Sequence, residues 1–265
     1  MERRIIYRKG VMRLEHILIY PIGTTDACAF AGSFLEKAGY SLTDHPTPEV
    51  THLLLDVPSF AVDGSLRGGG SLLPILERLP PGITLIGGNL KHPAITGYPV
   101  LDLLRDENYL AQNAAITAQC ALRVADPLLS RVLTETPVLV IGWGRIGKCL
   151  TKLLTGMGCS VTVAARNPKD RAIISALGWK SVDIPDIPGI LSDIGLIFNT
   201  APAPVLGADI LNKNRNCLKI DLASSPGLSG SDVVYARGLP GQYAPESSGR
   251  LIAETILRHL REETL

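Results

Sequence analysis

The sequence predicts a two-lobed α/β protein with mostly parallel sheets, and three observations carry that expectation. Short apolar runs recur along the chain with helix-length segments between them, the rhythm of strands joined by crossover helices. A glycine-rich turn over Gly142–Gly147 joins one such run directly to an apolar helix. Thr134-Glu135-Thr136-Pro137 interrupts the pattern midway, and a second strand–helix series follows it.

In chain order, His16–Pro21, Thr51–Val57 and Gly82–Gly87 read as buried strands. Ala27–Lys37 carries small and apolar residues at helical spacing and is closed by Gly39, a C-cap residue type. Ala61–Gly70, ending in three glycines, and Gly88–Gly97 read as flexible loops. Asp106–Leu133 reads as one long, kinked helix. The second series places strands at Pro137–Ile141, Ser160–Ala164, Ile194–Phe198 and Cys217–Asp221, with a last helix over Glu246–Arg261. The expected division is a loose leader over 1–12, an N-terminal α/β lobe on the substrate side over 13–122, a nucleotide-binding domain over 123–243, and a C-terminal helix over 244–265 packing back across the lobes.

Composition narrows the partners. Hydrophobic residues make up 46% of 265 and charged ones 19%, enough apolar side chain for a real core and against disorder. With 26 basic and 25 acidic residues the net charge is +1, which argues against nucleic acid or an anionic membrane as the main partner. The five cysteines are scattered without a C-x-x-C, so neither a zinc site nor a disulfide framework is expected, and buried thiols in a reducing cytoplasm are. No apolar run reaches the roughly 18 residues of a membrane span. Met1–Val11 is basic but lacks a signal-type core, and Met12 is an alternative start.

The motif that carries chemistry is Gly142-Trp143-Gly144-Arg145-Ile146-Gly147, a G-x-G-x-x-G between an apolar strand and an apolar helix. Gly142 permits the tight turn, Gly144 lets backbone amides approach a pyrophosphate, and Gly147 lets the helix pack close on the strand. The helix N-terminus then offers unpaired N–H groups and partial positive charge to the phosphates. This context predicts a Rossmann-type doubly wound sheet, with the N-terminal lobe as a second, flavodoxin-like α/β lobe. The following strand ends Ala164-Ala165-Arg166-Asn167-Pro168-Lys169. NAD sites usually place an acid there for the ribose 2′-hydroxyl, and NADP sites an arginine for the 2′-phosphate. With no acid and two cations, Arg166 and Lys169, NADP is the expected cofactor, with NAD as the alternative. Thr200-Ala201-Pro202 and Asp221-Leu222-Ala223 follow the next strands, at the carboxyl edge where open α/β sheets bind ligands. Asp221 reads equally as a turn cap.

These residues resemble the dipicolinate synthase A family. The matching pieces are the loop Gly142–Gly147, the strand end Val163-Ala164-Ala165-Arg166, Asp221-Leu222-Ala223-Ser224 with Pro226-Gly227, Gly238-Leu239-Pro240-Gly241, Ala244-Pro245 with Gly249, and Asn113-Ala114 with Thr117-Ala118. They run in the family's order from about Gly82 onwards. The resemblance implies a two-lobe oxidoreductase that works with a separate flavoprotein-like subunit during bacterial sporulation. It would oxidise dihydrodipicolinate to the aromatic dicarboxylate by hydride transfer to a nicotinamide. The chain departs from the family at Gln119, where the family carries a glutamate, at Pro21-Ile22-Gly23-Thr24, where it carries a glycine-rich turn with an acid, and between Pro226 and Gly238, too short for a helix plus a strand.

A small cyclic dicarboxylate needs cations or donors in its site. Asn113 and Thr117 share a helical face, as substrate ligands or as an interhelix bond. Ser224 and Ser225 read as carboxylate donors or as local backbone partners. Tyr243 closes over the ligand or packs at a rim. His92, beside Lys91, is the histidine best placed in sequence for proton transfer, and otherwise a solvated loop residue. A generic two-lobe dehydrogenase of the 2-hydroxy-acid or shikimate kind is a second reading, although no Arg–His–carboxylate set or Lys–Asp pair can be placed. A third reading, suggested by Gln119 and the short 226–238 segment, is a non-catalytic dinucleotide-binding sensor or partner protein. A homo-oligomer is expected, with the long helix and the last helix as its seam.

Overall fold

The computed structural model describes residues 17–262, so the expected leader over 1–12 lies outside the described residues. The elements run β1 (Leu18–Pro21), α1 (Asp26–Lys37), β2 (Ser41–Leu42), β3 (His52–Leu54), α2 (Leu73–Leu76), β4 (Thr84–Gly87), β5 (Val100–Asp102) and α3 (Glu107–Ala125). The second series is β6 (Val138–Ile141), α4 (Arg145–Gly156), β7 (Val161–Ala164), α5 (Pro168–Ala176), β8 (Lys180–Val182), α6 (Ile187–Ile190), β9 (Leu196–Asn199), α7 (Ala208–Leu211), β10 (Leu218–Asp221), β11 (Val233–Tyr235), α8 (Leu239–Tyr243) and α9 (Pro245–Glu262).

Two compact units result, one from the residues up to Gln112 together with those from Pro245 onwards, the other Asn113–Ala244. The first boundary falls inside α3, earlier than the 122/123 read from sequence. In the first unit the sheet order is β2-β1-β3-β4-β5, all pairs parallel. That is the flavodoxin-like order, with its switch point between β1 and β3. In the second the order is β11-β10-β9-β6-β7-β8, again parallel throughout. Counted from β6, this is the doubly wound order of dinucleotide-binding sheets.

Register explains why the central strands read as unbroken apolar runs. Val138–Ile141 is buried at every position, because both faces of a parallel sheet are covered. Val138 and Val140 join one core cluster with Val161, Val163, Phe198 and Ile220, while Leu139 and Ile141 join another on the opposite face with Ala164 and Ile197. In the first unit Leu53, Leu55 and Leu85 are the fully buried centre of a third cluster.

The long helix expected over Asp106–Leu133 is shorter. The α-helix stops at Ala125 and gives way to a 3-10 turn, Asp126–Leu128, because Pro127 has no N–H to donate and crowds the residue before it. The last helix, expected to pack across the lobes as a separate segment, belongs to the first unit, where it lies along α1. Gly249 makes the approach possible: a Cβ there would fall 2.5 Å from the carbonyl oxygen of Ala27 and 2.9 Å from the amide of Ala31. Arg250 then places its guanidinium over the Phe34 ring, 4.6 Å from the centroid. The short Pro226–Gly238 segment carries a strand, β11, without a helix. Lys219, in the middle of β10, is fully buried and reaches Asp232 at 2.5 Å just before β11, so an ion pair stands where the usual crossover helix is absent. No helix among the described residues is long and apolar enough to cross a membrane.

Asp106 ties the start of α3 to α9. Its carboxylate accepts from the Tyr109 amide at 2.8 Å, from Arg258 at 2.9 Å, and meets His259 at 2.8 Å. Burial pushes its pKa up, but the Tyr109 amide, His259 and Arg258 outweigh that and hold it at about 2. A depressed carboxyl pKa stabilises the fold above its unfolded value of 3.8, and that contribution disappears as pH falls through about 2. Asp106→Asn is therefore expected to lower the melting temperature at pH 7 and to have progressively less effect between pH 4 and pH 2. Paired thermal melts across that range check this, and a pH-independent difference would refute it.

Candidate dinucleotide site

In the second unit the turn from β6 into α4 is fixed by backbone contacts. Gly142 ends β6 at φ +102, a left-handed conformation that favours glycine, and its amide donates to the Ala164 carbonyl at 2.9 Å. Thr200 closes the floor, with its amide and hydroxyl both donating to the Ile141 carbonyl, at 2.8 and 2.9 Å. A Cβ on Gly147 would overlap the Gly142 carbonyl oxygen outright, so this residue sets how closely α4 sits on the turn. A Cβ on Gly144 would meet nothing within 4 Å. Gly144 is also the N-cap of the twelve-residue α4 and gives it no side-chain cap. The helix N-terminus thus receives no side-chain cap from its N-cap residue, and the space beside Gly144 is open, an arrangement that fits a pyrophosphate.

At the neighbouring strand end, Ala164 and Ala165 are buried, and Arg166 and Lys169 are exposed. The Arg166 guanidinium has no hydrogen-bond or ion-pair partner among the described residues. Arg171, which sequence reading passed over, braces this turn: its guanidinium donates to the carbonyls of Ala165 at 2.7 Å and Arg166 at 2.8 Å, and pairs with Asp183 at 3.0 Å. The residues present fit a dinucleotide, and the neighbouring strand end offers cations rather than an acid.

Known proteins are similar to this chain in sequence and in fold. Residues 100–215 match the family model described as D-isomer specific 2-hydroxyacid dehydrogenase, NAD binding domain. The chain is 26% identical over 174 residues to dipicolinate synthase A of Bacillus subtilis (strain 168), a match spanning 62% of this chain and 58% of that protein. The chain resembles dipicolinate synthase A. Among solved structures, the dipicolinate synthase A of Bacillus halodurans superposes with a TM-score of 0.79 at 22% identity, covering 94% of this chain and 99% of that one. A transhydrogenase from Sinorhizobium meliloti does so with a TM-score of 0.65 at 14% identity, covering 93% and 94%. At these identities the solved structures establish the shared fold. Together with the family match they support a nicotinamide dinucleotide as cofactor and an oxidoreductase as the class of protein.

Within this dipicolinate-synthase-like frame, several residues singled out from sequence turn out to serve the architecture. Asp221 is fully buried, and its carboxylate accepts from Asn199 Nδ2 and from the amides of Ala223, Gly227 and Leu228 at 2.7–3.0 Å. It organises the loop and leaves no lone pair directed to a ligand, and Ala223 has its amide committed to it. Asn167 caps α5 by accepting from the Lys169 amide at 2.9 Å. Trp143 and Trp179, both of the chain's tryptophans, meet edge to face at 5.7 Å, and Trp143 and Ile146 are half-buried against the core. Arg145 opens α4, exposed, and Ala201 and Pro202 continue the Thr200 turn towards the surface.

The catalytic and substrate candidates change in the same way. His92 Nδ1 accepts from the Ala94 amide at 3.1 Å, and the ring stacks on Phe60 at 4.8 Å. It caps the 3-10 turn Pro93–Ile95 through that nitrogen. The Thr117 hydroxyl donates to the Asn113 backbone carbonyl at 2.7 Å, a bond within α3 in which the Asn113 side chain takes no part. Ser224 and Ser225 are exposed, and Tyr243 is 40% exposed, its carbonyl taken by Arg123. Burial pushes the thiols of Cys28 and Cys217 up to about 12, so neither is a thiolate nucleophile at neutral pH.

Proposed function

We propose that the protein is an NADP-dependent oxidoreductase of the dipicolinate synthase A type, acting on a small cyclic dicarboxylate. The observation that carries it is the uncapped N-terminus of α4 behind Gly144, with unpartnered Arg166 at the next strand end. Gly144 and Gly147 hold the pyrophosphate through backbone amides, Gly142 and Thr200 fix the turn against which they lie, and Arg166 with Lys169 takes the 2′-phosphate. The bound nicotinamide supplies the hydride acceptor for a dihydropyridine ring whose product is aromatic. The protein's share is to orient and desolvate the two rings and to neutralise the substrate carboxylates. A cytoplasmic setting, a role in sporulation and a flavoprotein-like second subunit follow from the resemblance and belong to the same proposal.

Arg166→Ala is expected to weaken NADPH binding by about ten- to a hundredfold, the loss of one charge-assisted contact, and to leave NADH affinity within about twofold. Quenching of Trp143 and Trp179 fluorescence reads both titrations, and equal NADPH affinity in the variant would remove the cofactor assignment. The reaction itself is tested with enzymatically generated dihydrodipicolinate, in the presence and absence of a flavoprotein partner. The match of residues 100–215 to the 2-hydroxyacid dehydrogenase model favours one competing outcome, turnover of a 2-hydroxy acid in place of the dihydropyridine.

A further inference from the structure

A second site lies in the first unit, which contributes none of the residues discussed so far as cofactor ligands. At the switch point of its sheet, the chain leaves β1 towards β2 on one side and leaves β3 towards β4 on the other, so the loops after β1 and β3 part. Open α/β sheets bind ligands in the crevice so formed. Here it is a small pocket of about 30 Å³ whose lining includes Gly23, Thr24, Asp56, Ser59, Arg67 and Gly68.

The walls are fixed by their own hydrogen bonds. Asp56 accepts from the amide and hydroxyl of Thr24, at 2.9 and 3.3 Å, and from those of Thr25, at 3.1 and 2.5 Å. Ser59 Oγ donates to the Asp56 carbonyl at 2.8 Å and accepts from the Gly88 amide at 3.0 Å. The triple-glycine segment, read from sequence as a flexible loop, is folded onto this floor. Arg67 donates its amide to the Ser59 carbonyl at 2.9 Å, and Leu66 donates to the Gly70 carbonyl at 3.0 Å. Gly69 and Gly70 take φ of +91 and +82, and a Cβ on Gly68 would overlap Thr24 Oγ1. The glycines therefore let the loop lie against Thr24 and hold Arg67 at the pocket. The Arg67 guanidinium itself has no hydrogen-bond or ion-pair partner among the described residues.

We propose that this pocket binds a carboxylate of the ligand, with Arg67 as its charged partner. A guanidinium fork matches a planar carboxylate with two parallel hydrogen bonds. Asp56 in the wall disfavours a doubly charged group inside the pocket: its charge is shared among four donors but still repels, so one carboxylate group is favoured there over a phosphate group. A pocket of about 30 Å³ is far below the range of about 300–1,000 Å³ usual for drug-sized ligands. It has room for about two water-sized groups, the two oxygens of one carboxylate, with the rest of the acid outside it. The inference rests on the reading above only in taking that acid to be a ring dicarboxylate.

The test is calorimetric titration of the full chain with pyridine-2,6-dicarboxylate, pyruvate and inorganic phosphate, in wild type, Arg67→Gln and Arg67→Lys. Arg67→Gln is expected to weaken carboxylate binding by at least about tenfold and Arg67→Lys by less, since lysine keeps the charge but loses the fork. Thermal melts superimposable on the wild type show that both variants fold, and NADPH affinity, read by tryptophan fluorescence, stays at the wild-type value. Dicarboxylate binding equal in wild type and Arg67→Gln overturns the site and leaves the proposed reaction standing. Arg67-dependent binding of pyruvate with none of the dicarboxylate overturns the proposed reaction and supports the site. Phosphate bound more tightly than either acid, or no acid bound at all, overturns the inference.

Discussion

Gly147→Ala is expected to raise the dissociation constant for the dinucleotide by about a hundredfold or more and to lower the melting temperature. The added methyl carbon would overlap the Gly142 carbonyl oxygen and lie 3.0 Å from its carbonyl carbon. These are backbone atoms, so no side-chain rotation relieves the overlap. Gly142 cannot yield either, because its own Cβ position is 2.6 Å from Thr200 Oγ1 and 3.2 Å from the Ala201 amide. Helix α4 must retreat, at an overpacking cost of about 1–3 kcal/mol. Its first-turn amides retreat with it, and losing two phosphate contacts worth about 1.5 kcal/mol each gives the hundredfold. Gly144→Ala separates the two effects. Its methyl group meets no protein atom within 4 Å and sits at φ −78, ψ −170, which alanine adopts freely. The melting temperature of that variant should be unchanged while dinucleotide binding weakens, because the methyl occupies the space in front of the helix. Thermal melts and fluorescence titrations on both variants check this. Equal stability loss in the two would mean that the glycines serve the turn alone.

The glycine loop was legible in the sequence because its constraints are local: each glycine answers to atoms within a few residues or to an adjacent strand end. The central strands were legible for a similar reason, since burial on both faces leaves an unbroken apolar run. The edge strands β2, β5, β8 and β11 were not, because two or three residues are too few to carry a period. Polar side chains were the least legible. Asp56 lay inside a recognised strand segment, yet its partners Thr24 and Thr25 are 32 and 31 residues away, and no local pattern announces them. His92 and Thr117 misled in the opposite sense. Their partners are two and four residues away, close enough for a cap and a back-bond to satisfy groups that sequence alone leaves open for chemistry. Arg67 left no mark beyond its place before three glycines, and only the folded loop shows what those glycines lie against.

The second large effect is expected at Asp221. Asp221→Ala should destabilise the protein by about 4 kcal/mol, since each buried donor left unsatisfied costs about 1–3 kcal/mol before water and relaxation recover part of it. For a domain of this size that corresponds to a fall in melting temperature of about 8–16 °C. Four donors converge on the carboxylate: Asn199 Nδ2 and the Ala223 amide on one oxygen, both at 3.0 Å, and the Gly227 and Leu228 amides on the other, at 2.7 and 2.9 Å. Asn199 is itself fully buried and in turn accepts from the Ala201 amide at 3.1 Å, so the ends of β9 and β10 are locked through one pair. The packing leaves little room for rescue by water, because even a Cβ on Gly227 would come within 2.8 Å of the Ala201 and Ala203 carbonyl oxygens. Asp221→Asn is the sharper test. An amide keeps one acceptor oxygen and turns an NH2 group towards two N–H donors, so the isosteric variant should fall nearly as far as alanine. Were Asp221→Asn to keep the wild-type melting temperature while losing dinucleotide affinity, the carboxylate would be a ligand of the cofactor after all. Loss of stability in both variants, with the Thr200 turn loosened and affinity reduced only in proportion, makes it the residue that holds the site's floor.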